Sequence, residues 1–349
     1  MRILLTADPE IPVPPRGYGG IERIVDSLVR HFQSEGHVVG LLAHADSTSA
    51  AGARYAWPAE TSRGTANTVR NTLRLRRAVH EFRPDVIHSF SRLAYLAPLL
   101  CSKVPKLMSY QRHTGGRQIA WAAKLARDSL QFTGCSEFIC QMGRAAGGAW
   151  HAIPNFVELD RIAFTAHVPV DAPLLFLSRV ESIKGPDLAI AIARRAGRKL
   201  IIAGNHASAG REREFWDRAI APEIGHDGIE YVGETGDQVK SALLGAAAAL
   251  LVPVQWGEPF GIVFAEALAA GTPVISCPRG ALAEIIEPGT TGFFISAVDD
   301  GVTAVRRLGE IDRRACRHAA ETRFSAPVCA AQYLALFARM LGEHPTAKP

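Results

Sequence analysis

Short apolar runs alternate with longer amphipathic stretches along almost the whole chain of 349 residues. Many of the short runs are rich in β-branched residues and bounded by turn residues, which is typical of buried parallel strands. The longer stretches repeat apolar residues every three or four positions, as over 21–35, and predict helices that cover a sheet. This alternation predicts an α/β fold in which helices wrap parallel sheets.

The predicted elements form two sets, separated by the polar and irregular segment 155–173. A chain of 349 residues with 48% hydrophobic residues is also more than one core usually holds. We therefore expect two Rossmann-like, doubly wound domains at 1–155 and 156–324. The predicted strands are 2–6, 38–44, 85–90, 105–110, 131–135 and 149–154, then 174–178, 199–203, 229–232, 249–252 and 274–277. The predicted helices of the first set are 21–35, 66–82, 93–100, 118–127 and 137–145.

Composition narrows the class of protein without deciding its ligand. The net charge of +5 would suit an anionic small molecule, a nucleic acid or an acidic membrane surface, but the excess is spread over a large chain. Six cysteines show no metal-binding spacing and read as reduced core residues of a cytoplasmic protein. The N-terminal strand is too short for a signal peptide, and no apolar window is long enough to span a bilayer.

The stretch 256–275 carries two acidic residues around a predicted helix start. Pro259 keeps Glu258 on the incoming loop, the helix is expected to begin near Gly261, and Glu266 then lies more than one turn inside it. The unpaired amides at a helix N-terminus favour a phosphate, and Gly261 allows close approach to the backbone. The alternative is an ordinary β-α-β unit with two surface glutamates.

Further polar residues follow predicted strands, at the edge where parallel sheets bind ligands. Arg179 and Lys184 follow the strand 174–178 and could together hold a diphosphate, or they could be two solvated loop cations. The loop with Gly19 and Gly20 precedes the helix 21–35 and could close over a ligand or be a turn-rich connection. In the first set the polar residues at strand ends are His88, Ser89, Gln111, Arg112 and His113.

One predicted helix has a basic face. Arg70, Arg74 and Arg77 share one side of the helix 66–82, opposite its apolar residues. Such a face could bind anionic lipid headgroups, which would give a peripheral membrane contact through the first domain. The alternative is a solvated helix surface. We expect no nucleic-acid partner.

The motifs of the second half resemble a known family. Nearly the whole chain, and most strongly 174–295, is similar to the retaining, nucleotide-sugar-dependent glycosyltransferases of family 4, which have the GT-B fold. The resemblance implies two Rossmann-like domains facing across a cleft and a last helix, 325–342, that crosses back to the first domain. The tail 343–349 is expected to be disordered. The motifs are Arg179 with Lys184-Gly185, EPFGIVFAE at 258–266, GTPVISCPRGALAEII at 271–286 and GYGGIER at 17–23.

The resemblance also assigns roles to individual residues. It implies that Arg179 and Lys184 hold the donor diphosphate and stabilise its charge as it leaves. Glu258 would bind the hydroxyls of the transferred sugar, and Glu266 those of the ribose. The amides of Phe260, Gly261 and Ile262 would contact the phosphate or sugar, and Gly19 and Gly20 would close near the phosphates.

Gln111 is a departure from the family pattern, because members commonly have a histidine at the end of the strand 105–110. Either Gln111 or His113, two residues later, would fill the catalytic position at that edge. No Asp-x-Asp pair ends a strand, so we expect a transferase that requires neither metal nor cofactor. The expected donor is a UDP-sugar, with GDP- and ADP-sugars as alternatives.

The acceptor, which the first domain would bind, is expected to be a sugar, a lipid-linked molecule or a small metabolite. Two other functions stay open: a nucleotide-sugar 2-epimerase, and a module that binds a nucleotide sugar without catalysis. The sequence does not define the oligomeric state.

Overall fold

The chain divides into two compact units, each built around one parallel sheet. In the computed structural model, which describes residues 1–17 and 19–342, unit 1 contains 1–155 together with the chain from Ala326 onward. Unit 2 contains Phe156–Ser325. The predicted disorder of 343–349 concerns residues outside the described part. Both units are Rossmann-like α/β structures built on a parallel sheet, so the predicted fold class is confirmed.

Unit 1 has a seven-stranded sheet with the order β3-β2-β1-β4-β5-β6-β7, and every strand pair in it is parallel. The inner strands are buried on both faces, which explains their continuous apolar sequence. The strands are β1 Arg2–Thr6, β2 Val38–Ala43, β3 Ala53–Ala56, β4 Val86–Ser89, β5 Lys106–Tyr110, β6 Leu130–Gly134 and β7 Trp150–Ala152.

Within the residues 1–17 and 19–342, unit 1 has five α-helices. They are α1 Gly20–Ser34, α2 Thr65–Phe82, α3 Gly116–Ala126, α4 Glu137–Arg144 and α12 Ala326–Met340. Helix α12 packs against α1, where the rings of Phe32 and Phe337 meet edge to face at 5.7 Å between centroids. It also places Tyr333 against the buried ring of His88.

Two predictions for unit 1 are wrong in detail. The segment predicted as a helix over 93–100 is a 3-10 helix at Leu93–Leu99, with Pro98 inside it. Proline lacks the N–H that an α-helix would use, which favours the tighter turn. Strand β3 is missing from the prediction because it is a short edge strand whose residues are intermediate or exposed, and its sequence, ARYA, contains no β-branched residue.

The predicted basic face of α2 is partly neutralised in the structure. The guanidinium of Arg74 lies over the ring of Tyr55, 5.0 Å from its centroid, and also pairs with Glu81. Arg77 pairs with the same carboxylate at 2.6 Å. Contact of this helix face with a lipid surface stays a prediction. Across the described residues, we find no helix that is both long and apolar enough to cross a bilayer.

Unit 2 has a six-stranded parallel sheet with the order β10-β9-β8-β11-β12-β13. The edge strand β13 is missing from the prediction because it has only three residues and begins with glycine. The strands are β8 Leu174–Leu177, β9 Leu200–Ala203, β10 Ile229–Gly233, β11 Ala249–Leu251, β12 Val274–Ser276 and β13 Gly292–Phe294. The helices are α5 Pro186–Arg195, α6 Gly210–Phe215, α7 Asp237–Ala246, α8 Ile262–Ala270, α9 Leu282–Ile285, α10 Val298–Arg306 and α11 Arg313–Arg323.

A buried arginine joins α11 to the loops at the opposite end of the unit 2 sheet from the strand carboxyl ends. Arg313 is 7% exposed, and its guanidinium donates to the carbonyl oxygens of Thr165, Gly245 and Ala247 and to the hydroxyl of Thr272. These four bonds satisfy groups that burial would otherwise leave unpaired. The guanidinium thus holds together chain segments that are far apart in sequence.

Replacing Arg313 with alanine should destabilise unit 2 by about 3 kcal/mol or more, because it leaves several buried oxygens without a donor. Urea unfolding of the variant and the wild type measures this loss. Arg314→Ala is the matched control, since Arg314 is the exposed next residue of the same helix. Equal unfolding midpoints for the two variants would contradict this role of the buried guanidinium.

Candidate functional site

Three loops at the carboxyl end of the unit 2 sheet form the candidate donor site. They follow β8, β11 and β12, which are neighbours in the sheet. In the first two loops lie Lys184 and Glu258, which the sequence analysis singled out, and in the third lies Gly280. Ligands of doubly wound sheets bind at this edge.

The loop after β8 is attached to the loop after β11 by backbone contacts. The amide of Gln255 donates to the carbonyl oxygen of Ile183 at 2.8 Å. Gly185 has a φ of +71°, and a Cβ at this position would lie 2.3 Å from the carbonyl oxygen of Pro253. Only glycine permits this approach. The two loops are therefore fixed next to each other, with Lys184 and Glu258 on either side of the junction.

Lys184 and Glu258 form a largely buried ion pair. The ammonium of Lys184 donates to Oε2 of Glu258 at 2.5 Å, and the two side chains are 11% and 8% exposed. The indole Nε1 of Trp256 donates to the same oxygen at 2.8 Å. The ammonium also lies over the Trp256 ring, 5.1 Å from its centroid. Glu258 is thus held in one orientation by two donors.

Gly280 supports the backbone of Glu258 from the third loop. The amide of Ala281 donates to the carbonyl oxygen of Glu258 at 2.9 Å. A Cβ on Gly280 would lie 2.3 Å from that oxygen and 2.5 Å from the Glu258 nitrogen, and φ at Gly280 is +64°. A side chain there would displace the acidic residue. This glycine belongs to the motif at 271–286, and no role was predicted for it.

Arg179 is not paired with the Lys184 cluster. Its guanidinium forms an ion pair with Glu181, two residues later, and the Arg179 side chain is 46% exposed. Exposed pairs of this kind contribute little free energy, at most about 1 kcal/mol. The guanidinium can therefore exchange Glu181 for another anion at low cost.

Helix α8 begins where the sequence predicts. Gly261 is its N-cap residue, with φ of +78° and ψ of 81°, and Ile262 is the first helical residue. A Cβ on Gly261 would lie 2.5 Å from the Phe264 ring and 3.3 Å from Cγ of Glu258, so the acid lies close to the helix start. Phe260 is buried at 2% exposure. The helix dipole and the leading amides thus favour negative charge beside Glu258.

Glu266 is the only charged residue of the apolar helix α8, whose sequence is IVFAEALAA. Its Oε1 accepts a hydrogen bond from the ammonium of Lys240, which lies on α7. The Glu266 side chain is 14% exposed. A carboxylate that is largely removed from water is stabilised by such a partner. Lys240 was not among the predicted site residues. A cation on the neighbouring helix is difficult to find from spacing alone.

The remaining site residues of the prediction lie in unit 1. Gly19 is the N-cap residue of α1, Gly20 begins that helix, and a Cβ on Gly19 would lie 2.7 Å from Cβ of Pro15. Gln111 follows β5, and its Oε1 is buried with no hydrogen-bond partner among the described residues. The ring of His113 packs edge-on against Phe138 at 5.6 Å.

A polar cavity of about 620 Å³ lies at the carboxyl edge of the unit 1 sheet. Asp8, Gln111 and His113 are among its lining residues. The pKa of Asp8 is raised from 3.8 to about 6, chiefly by burial and then by the nearby Glu10, while Arg112 opposes the shift. Asp8 was not among the predicted site residues, although it lies only two residues after the first strand. Perturbed carboxyl groups in cavities are typical of functional sites.

The candidate sites contain no cluster of metal-ligating side chains. In the described ranges 1–17 and 19–342, no group of three or more His, Cys, Asp or Glu residues is placed so that it could hold a metal ion. The predicted donor-site residues that carry charge are Arg179, Lys184, Glu258 and Glu266.

Two family models match the chain on either side of the unit boundary. "Glycosyltransferase Family 4" matches residues 18–161, and "Glycosyl transferases group 1" matches residues 165–321. The chain belongs to the family 4 glycosyltransferases. The resemblance inferred from Arg179, Lys184 and the 258–266 motif is thus confirmed at the level of the family.

Individual relatives agree with this family and with the GT-B fold. D-inositol 3-phosphate glycosyltransferase 2 of Catenulispora acidiphila is 31% identical over 180 residues, which are 46% of this chain and 42% of that protein. The chain matches only about two fifths of the length of such curated relatives. AviGT4, a glycosyltransferase involved in avilamycin A biosynthesis, is 26% identical with a TM-score of 0.70 over 98% of both chains. HepE of Anabaena, solved with UDP, shares the fold at 17% identity, with a TM-score of 0.73 over 97% of this chain and 100% of that one.

Lys184→Ala should destabilise unit 2 by about 3 kcal/mol, because the Glu258 carboxylate then stays buried without its counter-charge. Arg179→Ala is the matched control, with an expected loss below about 1 kcal/mol, since its ion pair is exposed. Urea unfolding of both variants measures the difference. Equal losses would show that the Lys184 pair is not buried as the structure has it.

Asp8→Asn should make the protein more stable at pH 7. The pKa of Asp8 is about 6 in the folded state against 3.8 in the unfolded chain, so folding favours the protonated carboxyl. The contribution of Asp8 to the free energy of unfolding of the wild type therefore falls as pH rises from about 4 to 6. The fall is about 3 kcal/mol for a pKa shift of about two units. The asparagine cannot ionise. Thermal unfolding between pH 4 and pH 7 should show a difference between the proteins that grows with pH, and a constant difference would contradict it.

Proposed function

We propose that this chain is a retaining glycosyltransferase that moves a sugar from a UDP-sugar to an acceptor hydroxyl without a metal ion. The observation that supports this most strongly is the buried Lys184–Glu258 pair beside the N-terminus of α8. It combines a cation, a helix dipole and an oriented carboxylate at the ligand-binding edge of a doubly wound sheet.

The cation and the helix start are suited to the donor diphosphate. When the bond from the anomeric carbon to the phosphate oxygen breaks, that oxygen takes the electron pair and negative charge develops on the diphosphate. Lys184 has three N–H donors and uses one of them for Glu258, which leaves two for phosphate oxygens. Preorganised donors and dipoles of this kind stabilise charge without reorganisation.

Arg179 would add a second cation to the diphosphate. Its side chain is 46% exposed, and its one ion pair among the described residues is with the neighbouring Glu181. A phosphate could displace that carboxylate, because a guanidinium binds phosphate oxygens in a two-pronged arrangement. Arg179 and Lys184 together would then do the work that a divalent ion does in metal-dependent transferases.

The two glutamates are suited to hydroxyl groups. Glu258 directs one oxygen to Lys184 and Trp256, and its other oxygen can accept from the transferred sugar. Glu266 lies one turn further along α8 and has the same capacity toward a ribose. The UDP bound by HepE makes uridine the first base to test, with guanosine and adenosine as alternatives.

Nucleotide release from UDP-, GDP- and ADP-glucose, with and without a panel of acceptors, tests the proposed reaction. We expect slow release with UDP-glucose alone, faster release with a suitable acceptor, and no change on adding EDTA. Retention predicts that the product keeps the anomeric configuration of the donor, which NMR can measure. Isomerisation of the sugar without nucleotide release would indicate an epimerase, and binding without turnover a non-catalytic module.

Lys184→Met should lower turnover about a hundredfold or more, which is typical for loss of one group that stabilises developing charge. Lys199→Met, at an exposed position of the same unit, is the control and should leave turnover unchanged. The folded fraction of each variant is checked by thermal unfolding before the assay. Wild-type turnover in a folded Lys184→Met protein would refute the site assignment.

A further inference from the structure

The polar cavity of unit 1 has an uneven charge distribution. Three arginines and one aspartate line it, which gives a net charge of +2 with histidine neutral. Its volume of about 620 Å³ lies within the range of about 300–1,000 Å³ that is typical of small-molecule sites. The charged lining residues are Asp8, Arg92, Arg112 and Arg117.

The three arginines differ in how far they are engaged within the protein. Arg92 donates to the carbonyl oxygen of Ser62 and, at 3.5 Å, to the hydroxyl of Thr68, so it forms part of the wall. Arg112 is 72% exposed and has Asp8 as a partner at 3.6 Å. Arg117 lies in the first turn of α3 and forms no ion pair with any described residue. Arg112 and Arg117 are therefore available to an anion.

Asp8 provides the only carboxylate of the cavity lining. Its side chain is 21% exposed, while its Oδ1 is buried and has no hydrogen-bond partner among the described residues. Oδ2 faces the exposed guanidinium of Arg112. Because Asp8 lines the cavity and its side chain is partly exposed, a ligand hydroxyl can donate to the carboxylate on the side that faces Arg112.

We infer that this cavity binds an acceptor that carries an anionic group, with Arg112 and Arg117 holding the anion and Asp8 accepting a hydrogen bond from a hydroxyl. This inference rests on the proposed function, because the ligand is an acceptor only if its hydroxyl at Asp8 receives the sugar. Phosphate and carboxylate are the two anions that guanidinium groups bind best.

Binding to the unit 1 cavity can be measured without any donor, so failure here is distinct from failure of the proposed reaction. The probes are inorganic phosphate, glucose 6-phosphate, glucuronate and glucose, titrated into the full chain by calorimetry at constant ionic strength. We expect glucose 6-phosphate or glucuronate to bind at least about tenfold more tightly than glucose, since the anionic group adds charge-assisted hydrogen bonds to the arginines. The stronger of the two anionic sugars identifies the anion.

Variants separate the two parts of the cavity. Arg112→Gln with Arg117→Gln should remove the preference for the anionic sugars and the binding of inorganic phosphate, and leave the affinity for glucose unchanged. Asp8→Asn should weaken all three sugars by a similar factor, about tenfold, and leave inorganic phosphate unaffected. A purely structural role of Asp8 would not produce this split. Arg70→Gln, at an exposed position of α2 outside the cavity, is the charge-matched control.

Three results would overturn the inference. The first is equal affinity for glucose and both anionic sugars. The second is an anion preference that survives in the double arginine variant. The third is that neither anionic sugar nor phosphate shows detectable binding up to about 10 mM. A dissociation constant above that concentration corresponds to less than about 3 kcal/mol of binding free energy. Thermal unfolding confirms that each variant is folded before titration.

Discussion

The candidate donor site depends on one buried ion pair, between Lys184 and Glu258. Each charge would be costly alone at this depth, so the two side chains must be held at hydrogen-bonding distance for either to stay there. Trp256 adds a donor to the carboxylate and an aromatic face to the ammonium. The pair therefore forms a preorganised polar unit at the edge of an apolar sheet, and it can offer N–H donors and oxygen acceptors to a ligand without rearranging.

Close backbone contacts make this pair possible. Gly185 lies against the carbonyl of Pro253, and Gly280 lies against the backbone of Glu258 at distances that no side chain would allow. Three loops from three neighbouring strands are joined in this way. Gly185 and Gly280 thus allow chain segments to approach closely, so that charged side chains from different loops meet. The arrangement of charges therefore depends on these close backbone contacts as well as on the acidic and basic residues.

Unit 1 has a different kind of site at the corresponding edge of its sheet. Its cavity is lined by exposed guanidinium groups and by Asp8, whose pKa burial raises to about 6. Unit 2 instead holds its cation and carboxylate together in a closed pair. The same architecture thus carries a site with fixed, mutually neutralised charges and a site with available positive charge. This contrast agrees with two ligands of different chemistry, one bound by each unit.

The sequence by itself determined the α/β class, most strand and helix positions, and the family, because hydrophobic periodicity and the 258–266 motif are local signals. It also placed Gly261 at the start of α8, since a glycine after proline and before an apolar run is a local feature. The tertiary structure decided which charges pair: Glu258 with Lys184, Glu266 with Lys240, and Arg179 with its neighbour Glu181. It also decided the burial of Asp8, which raises the pKa of that carboxyl. Pair formation and burial arise when distant segments meet, so no spacing along the chain encodes them directly.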